Sequence, residues 1–305
     1  MTLYEAADQR FLPGFSRTMV ETPDGTILAL TAGSGPPVLM LHGDPQTHLC
    51  WQHIAPELSK TRTVVLTDIR GRGESHKPGL SDDHRLYSKR AMAAEQVAVM
   101  KHLGYDRFDL VGHDRGGRVA RRMALDHPDI VKSLTVMDIV PVLDFYERAD
   151  AAIAQDYFYF FFLTQPTPHP ERLIAGDPRA FMAEILLSHT KDDCPYDALA
   201  LETYLQAATF EASITAMCEC FRAGRTCDVE DDLADRAAGR KILCPTLVMW
   251  GETGVVGRHF DLKEIWNQWA DDIAFAPMPC GHFIPEEAPD FAGSTLADFL
   301  SASMR

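Results

Sequence analysis

The chain predicts an α/β fold: a mostly parallel sheet covered by helices on both faces, with one helical segment inserted into it. Three observations carry that reading. Pro37-Val38-Leu39-Met40-Leu41 and Thr63-Val64-Val65-Leu66-Thr67 are continuous apolar runs of strand length, the pattern of strands buried on both faces. Such runs alternate with segments of helical periodicity, and that alternation makes neighbouring strands parallel. The alternation then lapses for about a hundred residues after Pro141 and resumes near the C-terminus.

Taken in order, Ile27-Leu28-Ala29-Leu30-Thr31 is an early strand behind a Pro23-Asp24-Gly25 turn. The Pro37 and Thr63 runs follow, the second leading into Asp68-Ile69-Arg70-Gly71-Arg72-Gly73. Helical periodicity from about Tyr87 to Leu103 stops at Gly104. Phe108-Asp109-Leu110-Val111 is the next strand, a helix runs from Arg118 to Leu125, and Ser133 to Asp138 is another strand. From about Asp144 to Arg240 the pattern is helical, with aromatic clusters and a Pro-rich break at Gln165-Pro166-Thr167-Pro168-His169-Pro170. Thr246-Leu247-Val248-Met249-Trp250 and Ile273-Ala274-Phe275-Ala276 restore the strands, and a helix from about Asp290 to Leu300 closes the chain. The expected division is a core of residues 1–143 and 241–305 with a helical cap, 144–240, inserted in it. Ligands of open α/β sheets bind at the carboxyl ends of the strands, so this cap would roof the crevice.

Composition narrows the function. With 305 residues, 46% of them hydrophobic, the chain can bury a sizeable core. A net charge of −15 argues against nucleic acid and anionic membrane as partners. The seven cysteines are odd in number and form no C-x-x-C pair, so neither a disulfide framework nor a zinc site is suggested. No His/Cys/Asp/Glu cluster asks for a metal, and no cofactor is expected. The N-terminus lacks a basic stretch followed by an apolar one, and no apolar run approaches the length of a membrane span. The expectation is a cytoplasmic protein that acts on a small molecule, with a homodimer as a candidate assembly.

The chemistry concentrates at Gly112-His113-Asp114-Arg115-Gly116-Gly117, between a predicted strand and a predicted helix. Glycines on both sides of one polar residue at such a junction make a nucleophile elbow. The glycines are needed because the central residue is strained and crowded. The usual elbow carries Ser; this one carries Asp. Asp114, Asp138 and His282 fall at strand ends in the order nucleophile, acid, histidine, as in the α/β-hydrolases. A carboxylate is a weak base and a better leaving group than an alkoxide, so its attack on an ordinary ester mostly reverts. It can displace a leaving group from an sp³ carbon and form an alkyl-enzyme ester. His282, oriented by Asp138, would then activate the water that hydrolyses the ester. A halide or an epoxide oxygen suits that step, which predicts a dehalogenase or an epoxide hydrolase over an esterase.

Further residues are assigned around the elbow. His42-Gly43-Asp44-Pro45 follows an early strand, and the backbone N–H groups of Asp44 and Arg115 are the candidate oxyanion donors. Arg115 and Arg118 flank the elbow, and their guanidinium forks suit a substrate carboxylate. Arg121 and Arg122, further along the helix, are expected to pair with acidic surface residues.

These motifs resemble the fluoroacetate (haloacetate) dehalogenases, relatives of the epoxide hydrolases. The resemblance rests on His42-Gly43-x-Pro45-Gln46-Thr47-His48, Asp68-x-Arg70-Gly71-x-Gly73, Gly112-His113-Asp114-Arg115-Gly116-Gly117-Arg118 and Gly281-His282-Phe283. It implies Asp114 as nucleophile, His282 as base, Asp138 as acid, and Arg115 with Arg118 on the haloacid carboxylate. The chain also departs from that family. The cap of the family carries a His-Trp pair and a later Tyr that donate to the departing halide; here Tyr159, Phe160 and Phe221 fall at those positions. Three donors become one, which predicts poor C–F cleavage, because fluoride needs several donors to replace its water. Tyr159 could instead protonate an opening epoxide, with Tyr157 or Tyr204 as a second donor. Asp44 stands where the family usually has Phe. As a carboxylate it would repel a leaving anion unless protonated, so pairing with Arg115 or binding a substrate hydroxyl are the alternatives.

Overall fold

The computed structural model describes residues 1–191 and 194–303. Eight strands among them form one sheet in the order β1-β2-β4-β3-β5-β6-β7-β8. β1 (Ser16–Thr22) and β2 (Gly25–Ala32) form an antiparallel hairpin across the predicted turn, and β2 runs antiparallel to β4 (Thr63–Thr67). From β4 onward every pairing is parallel, through β3 (Pro37–Leu41), β5 (Phe108–His113), β6 (Val131–Met137), β7 (Thr246–Gly251) and β8 (Ile273–Met278). All residues of β4 and β5 are buried, as the continuous apolar runs require of strands covered on both faces.

The covering helices begin with α1 (Leu3–Phe11), α2 (Ala55–Leu58) and α3 (Lys89–His102), and α4 (Asp114–Asp126) springs directly from β5. Between β6 and β7 the described residues contain helices and no strand. These are α5 (Val142–Arg148), α6 (Ala151–Asp156), α7 (Phe158–Phe162), α8 (His169–Ile174), α9 (Pro178–Ser188), α10 (Ala198–Ala208), α11 (Glu211–Arg225) and α12 (Cys227–Ala237). The chain ends with α13 (Val255–His259), α14 (Leu262–Trp266), α15 (Ile284–Glu287) and α16 (Pro289–Ala302).

Two expectations need correction. The sequence reading starts the sheet at Ile27, but α1 and β1 precede it. β1 is an edge strand with a single fully buried residue, Val20, so it shows no apolar run to detect. Arg121 and Arg122 do pair with acids, but not at the surface. Arg121 donates to Asp232 at 2.7 Å and Arg122 to Asp235 at 2.5 Å, and all four side chains are buried. The acids belong to α12, which the inserted segment carries over this face of α4.

Candidate active site

The elbow forms because β5 and α4 meet without a loop. Asp114 takes φ 45°, a conformation few non-glycine residues adopt. The turn is so tight that a Cβ on Gly112 would lie 2.4 Å from the Gly116 carbonyl oxygen, and one on Gly116 would lie 2.3 Å from that of Leu41. Both glycines are therefore steric necessities, as the motif implied. The result is a buried carboxylate at the carboxyl end of the sheet, on the first turn of a helix whose leading amides have no partner within the helix.

Asp114, Asp138 and His282 are brought together from three separate strand ends. Asp138 follows β6 with φ 52°; its Oδ1 accepts from Gly251 N–H at 2.9 Å and its Oδ2 lies 2.6 Å from His282 Nδ1. Nδ1–H donating to a carboxylate leaves Nε2 as the free position, and Nε2 stands 3.7 Å from Asp114 Oδ2. Asp114 Oδ1 accepts from Asp44 N–H at 2.9 Å. Oδ2 has no hydrogen-bond donor among the described residues. The second predicted donor, Arg115 N–H, is in the first turn of α4.

Charge tunes these groups. Burial alone would push the Asp114 carboxyl up, but His282, Arg115 and His113 outweigh it and hold it below the usual value, so Asp114 is ionised. Burial would push His282 down, yet its hydrogen bond and charge pairing with Asp138 move it upward. Asp138 is itself raised by burial, against the opposing pull of His282. His113, pushed down to about 3 by burial and then by His282, is neutral, and its Nε2–H donates to the His282 carbonyl at 2.8 Å.

The site opens into a small cavity lined by Asp114, His282, Asp44, Arg115, Tyr159, Phe160, Phe221 and His189, among others. Asp44 is no halide donor. It grips Arg72 with both oxygens and takes Arg115 Nε at 3.0 Å on Oδ2. Burial opposes its ionisation, but Arg72 and Arg115 win, and it lies well below the usual carboxylate range. Of the two alternatives for Asp44, the structure makes the Arg115 pair. The guanidinium of Arg115 lies 4.0 Å over the Phe221 ring. Its terminal nitrogens have no acceptor among the described residues. Arg118 does not line this cavity. It stands behind Phe160, 5.0 Å over that ring, without an ion pair among the described residues.

Tyr159 presents a neutral hydroxyl, since burial raises it well above its ordinary range. Neither proposed companion joins it. Tyr204 is turned to the buried Glu286, 2.5 Å away, and Tyr157 lies behind the wall, stacked on the His189 ring at 5.3 Å.

Two residues of the site escaped the sequence reading. Arg72 comes from the Asp68 to Gly73 loop, where Arg70, the residue the motif highlights, is committed to Glu95 and Asp24 instead. His189, just past the end of α9, puts Nε2 3.5 Å from the Tyr159 hydroxyl, and its carbonyl accepts from His282 N–H at 2.9 Å. Burial and then His282 push it down to about 4, so it is neutral. Its only signal in the sequence is a histidine at a helix end, which equally describes a surface residue.

A family model for the alpha/beta hydrolase fold matches residues 36–289. A fluoroacetate dehalogenase from Burkholderia sp is 42% identical over 94% of each chain. A soluble epoxide hydrolase from Corynebacterium sp. (strain C12) is 30% identical over 89% of this chain and 92% of its own. The crystal structure of an alpha/beta hydrolase from Nostoc sp PCC 7120 superposes with a TM-score of 0.92 at 44% identity, covering 95% of this chain and 99% of that one.

Proposed function

The chain belongs to the alpha/beta hydrolase fold family, beside fluoroacetate dehalogenases and epoxide hydrolases, and from that premise we propose that it hydrolyses small 2-haloacids through a covalent ester on Asp114. One observation carries the reading: an ionised carboxylate at the elbow has one oxygen held by the Asp44 amide and the other unpartnered and facing His282 Nε2. Asp114 Oδ2 forms the bond to carbon while the halide leaves with the bonding pair, so the negative charge passes from Asp114 to the halide. His282 Nε2 then takes a proton from water, and the hydroxide adds to Asp114 Cγ. The oxyanion forms on Oδ1, where the Asp44 N–H already points. Collapse breaks the Cγ–Oδ2 bond: Oδ2 leaves on the substrate carbon as the 2-hydroxyacid, taking the proton from His282, and the water oxygen stays in the carboxylate, whose proton passes to solvent.

Arg115 receives the substrate carboxylate on its terminal nitrogens, held in orientation by Asp44, and Arg118 supplies the second positive charge one turn along α4. Residues 144–240 act as the cap that closes the site, supplying Tyr159, Phe160, His189 and Phe221. With the Tyr159 hydroxyl as donor on an otherwise largely aromatic wall, chloride and bromide are better leaving groups here than fluoride. The neutral hydroxyl of Tyr159 supports a second reading, in which it protonates an epoxide oxygen opened by the same Asp114.

The His282→Asn variant, incubated with chloroacetate and separately with a small epoxide, distinguishes these. The expected result is a mass increase on the intact protein from the haloacid, mapped to Asp114. An adduct from the epoxide alone moves the assignment to the second reading; no adduct from either overturns the nucleophile.

A further inference from the structure

A second, small cavity has Arg118 in its wall, a residue the catalytic one lacks. Lys89, Arg118, Arg121 and Arg122 line it, with Asp228 and Asp232 as its acids. All six are buried. Lys89 Nζ is 2.9 Å from Asp228 and Arg121 is 2.7 Å from Asp232, while Arg122 is taken by Asp235 and Asp126. Arg118 has no acid within ion-pair distance. Three of the four cations are thus matched by acids, and among the described residues Arg118 is left without an ion pair. Arg118 Nε, Arg121 Nε and Nη2, and Arg122 Nε are buried without an acceptor.

Buried donors without acceptors are costly, and a buried cation without a counter-charge more so. Three arginines in one cavity with open donors, one of them without an ion pair, call for an acceptor that carries negative charge. From this geometry we infer that the cavity is a second anion site, built to take a small inorganic anion such as a halide. Resting on the reading above, its occupant is the halide that the Asp114 step releases. That step moves one negative charge off Asp114, whose charge favours the Arg118 cation against burial and against Arg115. Arg118 lines the second cavity and stands over Phe160, which lines the first.

Sodium bromide alone is the probe. In crystals of the full chain soaked with bromide, the anomalous signal is expected between Arg118, Arg121 and Lys89. Bromide binding measured in solution by calorimetry is expected to weaken at least about tenfold (1.4 kcal/mol) in the Arg121→Met/Asp232→Asn double variant, which removes both partners of one pair. Lys89→Met/Asp228→Asn is the second variant if the first does not fold. Signal only in the Asp114 cavity, no signal at all, or affinity unchanged in both double variants overturns the site. Bromide binding here needs no turnover. A signal in this cavity together with no adduct on Asp114 would keep the anion site and sink the dehalogenase.

Discussion

Asp44 and His282 show how far neighbours decide what a residue does. Read alone, Asp44 is an acid placed where a departing anion would be repelled. Beside Arg72 and Arg115 it becomes the fixed negative centre that holds Arg115 against the cavity, while its backbone amide holds Asp114. His282 is governed in the same way by Asp138. Ester hydrolysis requires neutral His282, and burial, which favours the neutral form, is outweighed by the Asp138 hydrogen bond and charge. Asp138 remains ionised beside it after Asp114 is alkylated, so the upward displacement persists in the intermediate. Hence kcat should rise with pH through an inflection above 6.5, the ordinary histidine value. The Asp138→Asn variant should shift that inflection downward and lower kcat. An unchanged inflection in that variant would mean that a group other than His282 limits turnover.

Among the elements, legibility followed burial. β3 and β4 were readable to the residue, because strands covered on both faces must be continuously apolar. β1 was not readable, since an exposed edge carries no such demand. The elbow was legible because its steric requirement is local, whereas His189 and Arg72 were not, because their positions depend on how α9 and the Asp68 loop fold back on the site. The same limit hid Glu286 of α15, four residues beyond His282. Burial raises its carboxyl to about 8, against the opposing hydrogen bonds from Tyr204 of α10 and Gln52. It thereby joins the inserted helices to the loop bearing His282. The sign of its effect follows from linkage. Below about pH 4 the glutamate is protonated in folded and unfolded chains alike. As pH rises toward 8 the unfolded chain releases the proton and the native chain keeps it, so stability falls over that window, by up to roughly 5 kcal/mol, and levels off above it. In Glu286→Gln the loss of melting temperature between pH 5 and 8.5 should be several degrees smaller than in the parent protein. Parallel curves for the two proteins would show that Glu286 is ionised throughout.

Across the whole molecule, the net charge of −15 conceals a buried basic face on α3 and α4 that the inserted helix α12 neutralises. Lys89 meets Asp228, Arg121 meets Asp232 and Arg122 meets Asp235, each pair linking an element before β6 to one carried between β6 and β7. Sequence reasoning saw the arginines but could not see that their partners lie more than a hundred residues away under a packed helix. Such pairs do not make the fold more stable than apolar residues would, because desolvation offsets much of the attraction. They do make it intolerant of losing one member. Asp232→Ala leaves Arg121 buried against Trp269, 3.9 Å from that ring, with no acid partner, and should cost about 3–5 kcal/mol in urea unfolding. The Arg179–Glu202 pair is closer, at 2.5 Å, but its side chains are 57% and 46% exposed, so Arg179→Ala should cost less than about 1 kcal/mol. Salt separates them further: raising ionic strength should erase the small Arg179 effect and leave the Asp232 effect nearly intact, since buried charges are screened far less. Equal costs for the two variants would mean that α12 is not held to α4 by buried charge.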